Sequence, residues 1–344
     1  MSRASEFSNG FGSRMTDNQL PAPFPYPGGK RNAARAVWDA LGDPGCYIEP
    51  FCGSCAMLLG RPDFSGIRHE VVNDSDGLLI NALRCIKFDP EGIVREAFLP
   101  VSEVELHARA AFLASWKESK PVELLEGDIN YYDLRAGAYW IYVMCTSIFQ
   151  PFGGPWNIVG QRLVKTTSSS SGISREIPCI GPPPMGLLRN MPRMPNESRS
   201  DKAVAYLRAL QERLERVRIT AGDWTRVLSP TVLRFTEGTT GTAVFLDPPY
   251  KSTKNKLYRI GSGDLASKVL DWCKTKTDSD LMIVLAGYDD DNDELIDYGW
   301  RKVYSIGGQG NGRSSNRLNG RRERLWMSPQ CDLFDLFEIL EREA

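Results

Sequence analysis

Five short apolar segments, Cys46-Tyr47-Ile48, Glu70-Val71-Val72, Val217-Arg218-Ile219-Thr220, Ala243 to Leu246 and Leu281 to Leu285, each end in a polar or Gly/Pro cluster. Short apolar runs bounded by turn residues predict buried strands. Between them apolar residues recur with helical spacing over Arg31 to Leu41, Cys55 to Leu59, Leu78 to Ile86 and Ala203 to Val217, the last through Val204, Leu207, Leu210 and Leu214. Strands alternating with helices imply right-handed crossovers and a parallel-rich sheet, hence the α/β class. Ligands of such sheets bind beyond the carboxyl ends of the strands.

One stretch breaks the alternation. Glu91 to Val217 combines acidic helical patterns, an aromatic helix over Tyr131 to Phe149, Gly153-Gly154-Pro155-Trp156-Asn157, the polar Thr166 to Gly172 and Pro182-Pro183-Pro184. It is too long for a loop between sheet elements, so it reads as an inserted, mainly helical domain. Residues 1–20, rich in Ser, Asn, Gly and Arg, suit a mobile tail, and 331–344 form an acidic one. Met15 also stands as a candidate natural start.

Composition narrows the classes. The chain has 344 residues, 42% of them hydrophobic, which suits about two domains with a sizeable core. Its eight cysteines lack paired zinc spacing and the first residues lack a secretory pattern, so a reduced, cytoplasmic protein is expected. The longest apolar run, Ala138 to Phe149, is too short to cross a bilayer, so no membrane partner is expected. A formal charge of −1 gives no overall pull toward polyanions, yet it conceals an uneven distribution. Asp63 to Asp133 holds 14 acids against 7 bases, Pro151 to Phe235 holds 13 bases against 6 acids, and Arg301 to Arg324 has 7 bases and the single acid Glu323. Either these are ordinary solvated faces or the two basic stretches line one cleft for nucleic acid.

The chemistry concentrates in two places. In Val244-Phe245-Leu246-Asp247-Pro248-Pro249-Tyr250 an apolar strand delivers an acid at its carboxyl end. Two prolines then remove N–H donors and leave carbonyls seeking one. A carboxylate beside such a carbonyl suits an amino group, and the adjacent tyrosine offers a flat face, so the pocket would bind an aromatic amine. The second place is Tyr47-Ile48-Glu49-Pro50-Phe51-Cys52-Gly53-Ser54-Cys55-Ala56, a strand, a tight turn and a helix, where small residues let a ligand approach the backbone. About twenty residues on, Val71-Val72-Asn73-Asp74 sets an acid where a carboxylate can take both ribose hydroxyls of a nucleoside cofactor. The G-x-G-x-x-G pattern of dinucleotide enzymes is absent. His69 and His107 read as surface or structural residues.

Tyr26-Pro27-Gly28-Gly29-Lys30, the Glu49-Pro50-Phe51 turn, Asp74 and Asp247-Pro248-Pro249-Tyr250, in that order, resemble the Dam-like DNA adenine-N6 methyltransferases from about Phe24 to Gln330. Roughly 170 residues separate Asp74 from Asp247, which matches the family's alpha group, with its target-recognition domain between the cofactor and catalytic motifs. The resemblance implies a Rossmann-like S-adenosylmethionine-dependent sheet formed by 21–90 and 218–330, interrupted by a recognition domain at 91–217. It implies methyl transfer from S-adenosylmethionine to N6 of a flipped adenine in double-stranded DNA, without a metal, by a protein favoured to be a monomer.

By that resemblance Tyr26, Lys30, Glu49, Pro50, Phe51, Gly53 and Asp74 hold the cofactor, with Asp247 at its methyl end, and Asp247, Pro248 and Tyr250 are catalytic. Ala221-Gly222-Asp223-Trp224 fits the family's acid-aromatic pair for the cofactor adenine; the same residues read equally as a helix cap and a core indole. The chain departs from the family at Cys55, where a second glycine is usual, and along the aromatic helix, where Cys145, Thr146 and Gln150 occupy the expected polar positions. Arg321 to Pro329 is similar to a late strand of phage-type members, and a restriction-modification setting fits as well. Transfer to RNA and a catalytically weakened DNA-binding homologue remain as alternatives.

Overall fold

The structure is a computed structural model and describes residues 20–26, 30–62, 69–99, 102–119, 121–146, 156–159, 162–165, 199–233, 241–249, 262–277, 279–288, 290–304 and 323–331. Its strands are β1 (Cys46–Glu49), β2 (His69–Asp74), β3 (Trp156–Val159), β4 (Arg162–Lys165), β5 (Val217–Ala221), β6 (Thr242–Leu246), β7 (Leu281–Tyr288), β8 (Arg301–Tyr304) and β9 (Glu323–Met327). Seven of them form one sheet in the order β5-β2-β1-β6-β7-β9-β8, and β3 with β4 makes a separate antiparallel pair. From β5 to β7 every pairing is parallel, while β9 runs antiparallel between β7 and β8. This is the α/β sheet that the strand and helix pattern predicted, in the Rossmann-like form that the resemblance implied, with β9 and β8 adding antiparallel pairings.

The period-two alternation of the central strands loads both faces. Tyr47, Ala243, Phe245, Val284 and Ala286 point into one core, and Cys46, Ile48, Val244, Leu246, Ile283 and Leu285 into the other. Each face needs a helical cover, since a parallel sheet buried on both sides leaves no polar face for water. The second face is covered by α10 (Ser262–Lys276) through Val269, Leu270 and Cys273, helped by Leu295 and Trp300. The first is covered by α1 (Ala34–Leu41), α3 (Gly77–Phe88) and a helical stack behind α3. The short α2 (Ala56–Leu59) follows β1, and α9 (Pro230–Leu233) precedes β6.

That stack consists of α4 (Pro90–Ala97), α5 (Glu103–Glu118), α6 (Pro121–Gly127), α7 (Leu134–Thr146) and α8 (Arg199–Leu214). α7 starts at Leu134 rather than at Tyr131 because Asp133 caps it, its carboxylate accepting from the Ala136 N–H and from the Trp116 indole. Asn81 of α3 grips the Asp133 backbone in both directions. Gly137 then lets the two helices touch: a Cβ there would fall 2.4 Å from the Cys85 sulfur. Residues 147–150, the end of the predicted aromatic helix, lie outside the described residues. α8 ends at Leu214, short of the predicted Val217, because Val217 pairs with Glu70 and opens β5.

Two arginines join this stack to the sheet. Arg84, buried on α3, donates to the carbonyls of Leu125, Asp128, Tyr131 and Ile219. Arg213 of α8 and Arg61 converge on the buried Glu70 of β2 at 2.6 and 2.9 Å. Buried charges persist only when paired and hydrogen-bonded in this way. The helices of 91–146 and 199–214 therefore share the core of the sheet they follow and precede.

Candidate active site at the carboxyl edge of the sheet

The segment before the first helix is held by contacts far along the chain. Phe24 meets Trp140 edge to face at 4.7 Å, and the Tyr206 hydroxyl donates to the Pro21 carbonyl at 2.6 Å. This anchoring brings Tyr26 and Lys30, two of the residues expected at the cofactor, over the ends of the strands.

Tyr26 lies against the turn after β1. A Cβ on Gly53 would stand 2.9 Å from the Tyr26 ring, and Gly53 has φ +47°, so only glycine fits both the backbone and the ring above it. Cys55 has φ +57°, the one non-glycine left-handed residue among those described. The small thiol thus occupies the position usual for glycine without opening the turn. The Gly53 N–H donates to Asp74 Oδ2 at 3.1 Å, and the Asp76 N–H to Oδ1 at 2.9 Å. Each carboxylate oxygen so keeps a further lone pair for a hydroxyl donor. Burial pushes the Asp74 carboxyl up to about 6, the neighbouring Asp76 adding to the rise, against the lowering effect of the backbone N–H groups.

Asn73 is the knot behind this cradle. Its amide donates to the Pro50 carbonyl at 3.1 Å and to the Gly222 carbonyl at 3.0 Å, and its carbonyl accepts from the Thr220 hydroxyl at 3.0 Å. One side chain therefore ties together the loops after β1, β2 and β5. Sequence reasoning passed over it, although an amide just before a strand-end acid is the residue type that can donate and accept at once.

Glu49 is buried at the end of β1 and accepts from the Tyr47 hydroxyl at 3.1 Å. Burial drives its carboxyl well above the usual carboxylate range, and Asp247 and Asp74 push it the same way. Phe51 stacks on Trp224 with ring centroids 6.0 Å apart, and Trp224 meets Trp272 edge to face. Asp223 is exposed and caps the 3-10 turn of Trp224–Leu228, accepting from the Thr225 N–H and hydroxyl. The structure brings Phe51 and Trp224 together, while the exposed Asp223 carboxylate accepts from Thr225.

At the end of β6, Asp247 is half-buried and Pro248 buried, and Tyr250 lies outside the described residues. Lys30 reaches across to this acid: its buried ammonium stands 3.2 Å from Asp247 Oδ2 and 3.5 Å from Glu323 Oε1. Burial alone would lower the Lys30 pKa, yet Asp247 and Glu323 together hold it above the ordinary value. In the sequence Glu323 was the lone acid of a basic run and part of a stretch similar to a late strand, with no role of its own.

The residues fit S-adenosylmethionine by their donor set: a carboxylate fixed by two backbone N–H groups for ribose hydroxyls, a turn open down to its backbone under Tyr26, and acidic side chains around the place where a sulfonium must sit. Among the described residues no cluster of His, Cys, Asp and Glu could hold a metal ion, and no helix is long and apolar enough to cross a membrane. His69 opens β2 at the end of the sheet opposite the site.

Some of the bases counted in the sequence pair with acids distant in the chain, and of these pairs only that of Arg213 is buried. In Pro151 to Phe235, Arg208 pairs with Glu91, Arg213 with Glu70 and Arg226 with Glu126. In the last basic run, Lys302 pairs with Asp290 and Asp293. Residues 313–322, which carry four of that run's arginines, lie outside the described residues.

The family model of the D12 class N6 adenine-specific DNA methyltransferases matches residues 26–146. The Dam-like resemblance is borne out. The matched stretch holds Tyr26, Lys30, the turn after β1, Asp74 and the helical stack through α7, while Asp247 lies beyond it. This family supports methylation of adenine in DNA, and it implies S-adenosylmethionine as methyl source and DNA as substrate. No individual curated protein matches the chain.

Proposed function

We propose that the chain is a site-specific methyltransferase that moves the methyl group of S-adenosylmethionine onto the exocyclic N6 of an adenine flipped out of double-stranded DNA. The observation that carries the reading is the shared carboxyl edge: the Gly53–Asp74 cradle and Asp247 face the same end of adjacent parallel strands, within the electrostatic reach of Glu49. When bound, S-adenosylmethionine would supply an electrophilic methyl group on a sulfonium and leave as neutral S-adenosylhomocysteine, the proton displaced from N6 passing to solvent. Tyr26, Gly53, Glu49, Pro50 and Phe51 orient its amino-acid end, Asp74 takes the ribose, and Trp224, with Asp223 beside it, borders the adenine.

The amino nitrogen of adenine is a poor nucleophile because its lone pair is delocalised into the ring. Asp247 and the Pro248 carbonyl accept its two hydrogens, favouring a pyramidal nitrogen and stabilising the positive charge that grows there. The flipped base stacks on Tyr250. Alignment of nitrogen and methyl carbon supplies much of the remaining acceleration. Residues 21–90 and 218–330 form the catalytic domain and 91–217 the recognition insertion, whose helices rest on α3. The protein works in the cytoplasm of a bacterial or phage-infected cell, as a monomer of phage type, with or without a restriction partner.

Incubation with labelled S-adenosylmethionine and, in turn, unmethylated DNA, RNA and a mixed protein extract tests the reading. Label on adenine N6 of DNA is the expected outcome; label on RNA or protein alone, or none anywhere, overturns it.

A further inference from the structure

We propose that Glu323 is a positioning residue for methyl transfer, which shares the Lys30 ammonium with Asp247 and draws it away when Asp247 takes the amino hydrogens of adenine. This rests on the role of Asp247 given above. The placement follows from topology. β9 is antiparallel to β7, with Glu323 opposite Tyr288, so the first residue of β9 stands at the same edge as the last residues of the parallel strands. Lys30, brought in from before α1, lies between that edge acid and Asp247.

An ammonium held by Asp247 alone conflicts with the reaction. It draws on one oxygen, Oδ2, of the carboxylate that must accept from N6, and it sets a positive charge beside a nitrogen that is itself becoming positive. A second carboxylate on the far side of Lys30 resolves the conflict, because the ammonium keeps a partner when Asp247 changes its own. Lys30 is 5% exposed, so without such a partner water could not take over. Among the described residues, Tyr288 from β7 acts on Lys30 and Glu49 from β1 on Asp247. Arg324, next along β9, donates instead to the Glu323 carbonyl.

The test compares the full-length wild type with Glu323→Gln and Glu323→Asp. Methyl transfer to unmethylated DNA is followed as kcat and as KM for S-adenosylmethionine across neutral to alkaline pH, and melting serves as the fold control. For Glu323→Gln a tenfold or greater loss of kcat is expected at neutral pH with KM within about twofold of wild type. The loss should shrink at alkaline pH, where Lys30 deprotonates and releases Asp247. Glu323→Asp should recover most of the rate. A Glu323→Gln enzyme with the wild-type rate and pH profile overturns the inference, as does a loss equal at every pH with KM changed alike. Should Glu323→Gln fail to fold, the Lys30 titration followed by lysine Cε NMR in wild type and Glu323→Ala decides: a lower Lys30 pKa in the variant supports the sharing, and an unchanged one overturns it. Wild type that methylates no DNA brings down the proposed function and this role with it; an active wild type with an indifferent Glu323 brings down this role alone.

Discussion

On one side of the sheet, β1, β2 and β5 end in loops tied by neutral hydrogen bonds to Asn73; on the other, β6 and β9 face one another through the charges of Lys30, Asp247 and Glu323. The cofactor half is thus set by bonds to backbone carbonyls, which leave the loops one arrangement. The catalytic half is set by an ammonium between two carboxylates, either of which can hold it. The difference teaches where each kind of contact is useful. A cradle for a bound molecule gains from being organised in advance, because ordering it on binding costs free energy. A group that must exchange one hydrogen-bond donor for another gains from a partner it can release.

The sharpest way to break this comparison is Asp247→Ala. Loss of the acceptor that stabilises the growing charge should reduce methyl transfer on the order of 10²–10³-fold or more, with little change in melting temperature. Near-normal turnover would remove Asp247 from the chemistry. Asn73→Ala should act on the opposite half and in the opposite manner. By leaving the Pro50 and Gly222 carbonyls without their partner, it should cost about 3 kcal/mol in denaturant unfolding and weaken cofactor binding. Stability within error of wild type would show that the loops hold without the knot.

Tyr250→Ala should weaken the grip on the flipped base by about 1–3 kcal/mol, read as a raised KM for DNA with cofactor binding intact. A smaller effect comes from pH. Asp74, pushed up to about 6, accepts ribose hydroxyls only when ionised, so affinity for S-adenosylmethionine should be full above that value and fall as pH drops through it. Calorimetric titration at several pH values checks this, and Asp74→Asn should flatten the profile; an unchanged affinity in acid excludes the ribose role. The salt response should be the mildest effect. With Arg208, Arg213, Arg226 and Lys302 already paired, the slope of DNA affinity against salt should report only the remaining bases.

Charge shows what a count along the chain leaves out. Two basic stretches in the sequence suggest a lined cleft, and three of their arginines, on α8 and the first turn after β5, pair with acids of β2, α4 and α6 that lie far away in the chain. A count along the chain cannot see a partner a hundred residues off. The strands were legible because short apolar runs bounded by turns leave few alternatives, and Val244 to Asp247 shows it: an apolar strand ending on an acid is written in consecutive residues. Asn73 and Glu323 were illegible for the opposite reason. Each matters through contacts with segments distant in sequence, which the segments that carry it, Val71 to Asp74 and Arg321 to Pro329, do not reveal.

The sequence by itself determined the α/β class, the order of cofactor and catalytic motifs, and the chemistry available at Asp74 and Asp247, because these depend on local pattern and residue type. Only the tertiary structure decided that the helices of 91–146 and 199–214 rest on α3, that Lys30 lies between two carboxylates, and that Asp223 caps its own turn. Strand order and the antiparallel entry of β9 are settled by long-range pairing and packing. Those forces bring together residues that no local pattern relates.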